Sequence, residues 1–165
     1  MASESFDTLI TNGLIVDGTG APAFHGDVGI HGGRITAVGN LSGSTATRQI
    51  DAGGNIVAPG HVTQHTHYDA ALFWDPYCLD AARNGVTTVT NANCGFGFAP
   101  LKEQDAERTR LMMSTTEQIP VEQQRAAMPW DWESFPDWMD RMHSLPKGVN
   151  VATYLPLNPL LVYVM

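Results

Sequence analysis

The residues of this sequence best suited to chemistry are His65, His67 and Cys94. Residues two apart on a β-strand project from the same face, so His65-Thr-His presents two imidazoles side by side, about 6 to 7 Å apart along the backbone. Two such nitrogens can grip one metal ion. Imidazole suits zinc and other borderline divalent ions, and a catalytic zinc keeps roughly three protein ligands with one position open. Two half-exposed histidines on a strand also occur without any metal. Cys94, in Asn91-Ala-Asn-Cys-Gly, would be a strong zinc ligand as a thiolate and must lose its proton to bind. Without the histidines it would read more readily as a small apolar residue packing a strand end. Asp69 stands just beyond the histidines, where it could orient a ligand or contact a substrate. Cys78 reads as core, His25, His31 and His143 as surface residues, and His61 as lying deeper on the same strand.

These groups must be brought together by strands. From residue 61 the text runs strand, helix, strand, helix, the pattern of a parallel sheet with covering helices. His61-Val-Thr-Gln-His-Thr-His is β-branched and alternating, residues 79–84 read as helical, and Gly85-Val-Thr-Thr-Val-Thr-Asn is a second strand. If the two strands are neighbours, His65, His67 and Cys94 emerge together at the carboxyl end of the sheet, where barrel enzymes assemble their sites. Residues 102–118 carry Met, Leu and charges at helical spacing, and Pro120 ends that run. Residues 132–143 read as an amphipathic helix capped by Asp131 and closed before Pro146, and residues 150–155 as a third strand. Trp130, Trp132 and Trp138 read as core and interface anchors.

Before residue 59 there is no sustained helical period. Short apolar runs at residues 8–11, 14–16, 27–31, 34–38 and 55–58 alternate with Asp17-Gly18, Gly32-Gly33 and Gly53-Gly54, the text of a β-meander. Residues 40–47 read as a plain loop. The boundary between the two grammars falls at residue 59, giving a first domain over 1–59 and a second over 60–165. The chain ends in the apolar run 160–165, without the polar, frayed character of most termini, and so reads as cut short.

A 165-residue chain that is 43% hydrophobic and 16% charged is globular, with enough length for a core. Its net charge of −8, with Lys and Arg scattered singly, disfavours nucleic acid as a partner. The acidic start from Met1 to Asp7 lacks a signal peptide's basic and apolar regions. No apolar run approaches the roughly 18 residues of a membrane span. The protein is therefore expected to be cytoplasmic and free of membranes, and its two cysteines make a disulfide framework improbable.

Eight ordered motifs carry a resemblance: Asp17-Gly-Thr-Gly-Ala-Pro, Gly26-Asp-Val-Gly-Ile, Gly33-Arg-Ile-Thr-Ala-Val-Gly, Val57-Ala-Pro-Gly, His65-Thr-His-Tyr-Asp, Trp74-Asp-Pro, Gly85-Val-Thr-Thr-Val and Asn93-Cys-Gly-Phe-Gly-Phe-Ala-Pro. Together they resemble the N-terminal third of the D-aminoacylase-like amidohydrolases, the N-acyl-D-amino-acid deacylases. Trp132-Glu-Ser-Phe-Pro and Val162-Tyr-Val-Met look like the same subfamily.

The resemblance implies an α/β fold: the first strands and helices of an incomplete (β/α)8 barrel, preceded by a small β-sandwich segment. It implies a metal-dependent amidohydrolase with Zn2+ held by His65, His67 and Cys94, joined by histidines from later strands. The substrate would be a small-molecule N-acyl amino acid whose amide bond is hydrolysed. The general base would be an aspartate that this chain does not contain, so no catalytic residue is assigned and the chain alone is expected to be inactive. The Asn-Cys-Gly motif points away from the dihydroorotases and hydantoinases, the nearest enzymatic alternative. A non-catalytic fragment or decayed relative is the other alternative. The family usually reads Gly-Phe-Ile-Asp where this chain has Gly60-His-Val-Thr, so Thr63 replaces an aspartate and offers a neutral hydroxyl in place of charged support for a ligand.

Overall fold

The computed structural model describes residues 5–165, which form two compact units divided between Pro59 and Gly60. The first four residues, on which part of the leader argument rests, lie outside the described residues. No described helix is long and apolar enough to cross a membrane.

The first unit is a five-stranded sheet: β1 (Ser5–Ile15), β2 (Phe24–His31), β3 (Arg34–Gly39), β4 (Thr45–Asp51) and β5 (Ile56–Val57). The order is β3-β2-β1-β4, with β5 paired to the far end of β1. β1–β2 and β2–β3 are antiparallel, whereas β4 and β5 run parallel to β1. Residues 8–11 and 14–16, read separately from the sequence, belong largely to one strand. Asn12 makes the continuity possible by adopting φ 56° at a bulge, where its backbone N–H donates to Asp27 and its side chain to Asp51, each at 3.0 Å. The loop expected at 40–47 ends sooner, because β4 starts at Thr45. Six of its seven residues are exposed, so it carries no alternation of apolar and polar residues to announce it. Gly29 lies under the Phe6 ring, where a Cβ would come within 2.5 Å of a ring carbon.

The second unit holds a three-stranded parallel sheet in the order β6-β7-β8: β6 (His61–Thr66), β7 (Val86–Asn91) and β8 (Asn150–Thr153). Its helices are α1 (Tyr68–Ala71), α2 (Leu79–Arg83), α3 (Ala106–Thr116), α4 (Val121–Ala127), α5 (Phe135–Ser144) and α6 (Leu157–Val164). The core beneath the sheet joins Val89, Phe98, Met113, Trp132, Trp138 and Met142. Trp132 and Trp138 meet edge to face at 4.6 Å, and the Trp132 indole N–H donates to the Phe98 carbonyl at 2.8 Å. This answers the usual demand of a buried indole for a partner.

Three helix boundaries differ from the sequence reading. The run 102–118 becomes a short 3-10 turn at Glu103–Asp105 followed by α3, and Pro120 then opens α4 as its N-cap. α5 is capped by Ser134 in place of Asp131: the Ser134 hydroxyl accepts from the Asp137 N–H while Asp137 accepts from the Ser134 N–H, a reciprocal capping box. Asp131 is engaged instead by Arg141. The apolar run at 160–165 lies mostly within α6.

Candidate metal centre

His65 lies on β6, which ends at Thr66. His67 is therefore beyond the strand, as the residue preceding α1, with φ −122° and ψ 36°. Alternation along one unbroken strand does not extend to His67, because β6 gives way to α1 one residue early. The backbone change keeps the rings close even so, with centroids 5.3 Å apart and planes tilted by 56°. Cys94 follows β7 in a tight turn where Ala92 and Gly95 take φ 65° and 86° and the Gly95 N–H donates to the Ala92 carbonyl at 3.0 Å. That turn brings Sγ to 3.8 Å from His67 Nε2. One ligand atom from each of His65, His67 and Cys94 lies within 4.8 Å of the others. Cys94 is exposed, unlike Cys78, which is fully buried among apolar neighbours.

Asn91, the last residue of β7, holds this turn in register. It is buried, and its Oδ1 accepts from the Thr66 hydroxyl at 2.7 Å and from the Tyr68 N–H at 3.1 Å. Those are the residues on either side of His67, so one amide side chain on β7 fixes the chain that carries the imidazole. Asn91 stood in the sequence beside Cys94, but nothing in its type announced this grip. Glu117, just past α3, places Oε2 at 3.1 Å from His67 Nδ1. The contact is at ion-pair distance but off the line of a ring N–H hydrogen bond, which leaves Nδ1 buried without an aligned partner. Glu117 is distant in sequence from both histidines and carried no motif.

Asp69 is buried, with 2% exposure, just beyond His67. Burial pushes its carboxyl up to about 7, with the nearby Glu117 charge adding to the effect and a hydrogen bond from the Ala70 N–H opposing it. His61 is exposed at the opposite end of β6, His143 sits in the last turn of α5, and His25 and His31 belong to the first unit. None of these joins the cluster. Two imidazoles and a thiol form a donor set that fits zinc or a similar borderline ion, with room for further ligands or solvent on the exposed side.

No family model matches the chain. The D-aminoacylase of Alcaligenes xylosoxydans xylosoxydans is 32% identical over 163 residues, an alignment covering 99% of this chain and 31% of that protein. The N-acyl-D-aspartate deacylase of the same organism is 34% identical over 164 residues, with coverage of 99% and 31%. Among solved structures, a D-aminoacylase described by its binuclear metal centre superposes with a TM-score of 0.78 at 34% identity, covering 97% of this chain and 31% of that one. The N-acyl-D-glutamate deacylase of Bordetella bronchiseptica, complexed with zinc and a phosphonate inhibitor, gives 0.73 at 31% identity, covering 98% and 32%. The chain spans about a third of the length of these relatives.

Proposed function

We propose, given that this chain belongs to the D-aminoacylase family of amidohydrolases, that it carries the zinc-gathering part of a hydrolase acting on the amide bond of N-acyl-D-amino acids. The observation that carries this reading is the convergence of His65, His67 and Cys94 within 4.8 Å, at the ends of adjacent parallel strands. In this reading residues 60–165 are the opening strands and helices of a (β/α)8 barrel, and residues 1–59 contribute one sheet of a β-sandwich.

Zinc bound at these residues would supply Lewis acidity toward a water and an amide carbonyl. The chain's own residues do the positioning. His65 and His67 offer neutral nitrogens, and Cys94 gives up its Sγ proton on binding. Asn91 keeps the two strand ends from separating. Thr63, half-buried on β6, offers only a neutral hydroxyl. A cytoplasmic setting suits a site that needs a reduced thiol, and the net charge of −8 fits a small-molecule substrate better than nucleic acid. No observation favours the cyclic-amide alternative.

The general base and remaining ligands are assigned to parts of the family fold that these residues do not supply, so the 165-residue chain should bind zinc without turnover. Zinc titration of the purified chain, paired with an assay for amino acid released from N-acetyl-D-amino acids, tests both halves. Tight zinc binding that His65→Ala abolishes, with no release, is expected. Zinc-dependent release lost in His65→Ala would refute the inactivity, and equal zinc binding by wild type and His65→Ala would refute the site.

A further inference from the structure

We propose that Glu117 is the positioning residue for His67, holding its proton on Nδ1 so that Nε2 is left free as the ligand atom. The inference rests on the metal-site reading above and adds to it a residue far along the chain. Three observations carry it. Oε2 of Glu117 is the carboxylate oxygen beside the buried His67 Nδ1, 3.1 Å away and off the N–H line in the metal-free chain, while Nε2 on the other side of the same ring is 3.8 Å from Cys94 Sγ. The ring thus lies between a carboxylate and the thiol it would share an ion with. Glu117 is also outside the group of converging ligand atoms, so it supports a ligand and is not one itself.

The second observation is that both ends of this contact are anchored. The Glu117 backbone N–H donates to the Met113 carbonyl at 3.0 Å, closing α3, and Met113 is fully buried in the core. The Glu117 side chain is 13% exposed and that of His67 28% exposed. His67 is pinned through its neighbours by Asn91. A long acidic side chain enclosed in this way has few rotamers left, so its carboxylate stays beside the ring.

The third observation is that the position is a poor one for stability. Glu117 follows the last turn of α3, where the helix dipole disfavours negative charge. What the carboxylate does there is explained by the imidazole. A neutral imidazole carries one N–H, and an acceptor beside Nδ1 selects the tautomer whose Nε2 lone pair is free while raising its basicity.

The test uses the full 165-residue chain with ring-15N histidine, read without metal at pH 8 by long-range nitrogen–proton NMR and then titrated with zinc against a chromophoric chelator. Glu117→Met fills the same space without an acceptor, and Glu117→Gln keeps a carbonyl oxygen that can accept from Nδ1. Glu117→Ala serves as the acceptor-free variant if the Met form fails to fold. Wild type should show His67 protonated on Nδ1. The acceptor-free variant should shift His67 toward the Nε2–H form and weaken zinc roughly 10- to 100-fold, with Glu117→Gln restoring most of both. An acceptor-free variant with the wild-type tautomer and affinity, while His65→Ala and Cys94→Ala lose zinc, overturns the inference and leaves the metal reading standing. A wild type that binds zinc no better than His65→Ala and Cys94→Ala overturns the metal reading, and the tautomer signal then decides alone whether Glu117 governs the ring.

Discussion

The two units are written in similar β-branched text but bury it in different ways. In the first sheet the buried apolar side chains are Phe6, Leu9, Ile15 and Val28, while Ile35 and Ile56 are 67% and 66% exposed. In the second, Met113, Trp138 and Met142 from the helices and Trp132 from the segment before α5 form one continuous cluster with Val89. Both units contain histidines, but only the second gathers them with a thiol. Holding three ligand atoms within a few ångströms requires strand ends that are packed from below and tied sideways. The β6–β7 pair has both, through the aromatic core and through Asn91. His31, by contrast, reaches only Asp7 at 3.5 Å on an open face.

The largest effect that would sharpen this contrast is on metal affinity. His65→Ala or Cys94→Ala should weaken zinc by more than the 10- to 100-fold typical of a supporting residue, whereas His25→Ala and His31→Ala should change nothing in the same chelator competition. Comparable losses from both pairs would dissolve the distinction between the units. Next in size is packing. Trp138→Ala should cost about 3–5 kcal/mol in urea unfolding, against about 1.5 kcal/mol for Val28→Ala, which removes two carbons from the thinner core. The reverse order would show that the first sheet holds the molecule together.

Smaller again is Asn91→Ala, which leaves the Tyr68 N–H without its acceptor and should cost roughly 1–3 kcal/mol. It should also weaken zinc, although it touches no ligand atom. Unchanged zinc affinity in a folded Asn91→Ala chain would remove Asn91 from the account of the site. Smallest is Ser134→Ala at the start of α5, about 1 kcal/mol, and it carries a pH signature. Hydrogen bonds from the Ser134 hydroxyl and N–H hold the Asp137 carboxyl below its ordinary value of 3.8. A lowered carboxylate contributes stability that is present above the ordinary value and lost as pH falls through the folded one. Asp137→Asn should flatten the acid limb of the stability curve below about pH 4, and an unchanged limb would remove that contribution.

What was legible in the sequence follows from how each element announces itself. β6 and β7 each follow a glycine, Gly60 and Gly85, and their β-branched runs were enough to place His65 and Cys94 near strand ends. β4 was missed because an exposed strand of Thr, Arg, Gln and Asp has no apolar side to show. His67 was put on the strand because alternation cannot reveal where a four-residue helix interrupts it. Asp131 and Ser134 are both good caps by type. The cap falls to Ser134 because Asp137 stands three residues on to complete the box, a pattern present in the sequence. Glu117 meets His67 only after α3 has folded onto the core, and no local rule reaches that far.

The tryptophan cluster has a consequence for how the molecule can be watched. All four tryptophans and all four tyrosines lie at or beyond Tyr68, so residues 1–59 contain only Phe6 and Phe24 as aromatic chromophores. Emission excited at long ultraviolet wavelengths therefore reports the second unit alone. Trp132 and Trp138, crossed at 68° with centres 4.6 Å apart, are close enough for their transitions to couple, giving that unit a near-ultraviolet circular dichroism signal of its own. The first sheet is silent in both and visible only in the far-ultraviolet amide bands. A melt followed at the two wavelengths thus separates the units without a label or a cut, and any gap between the curves measures how independently the first sheet unfolds.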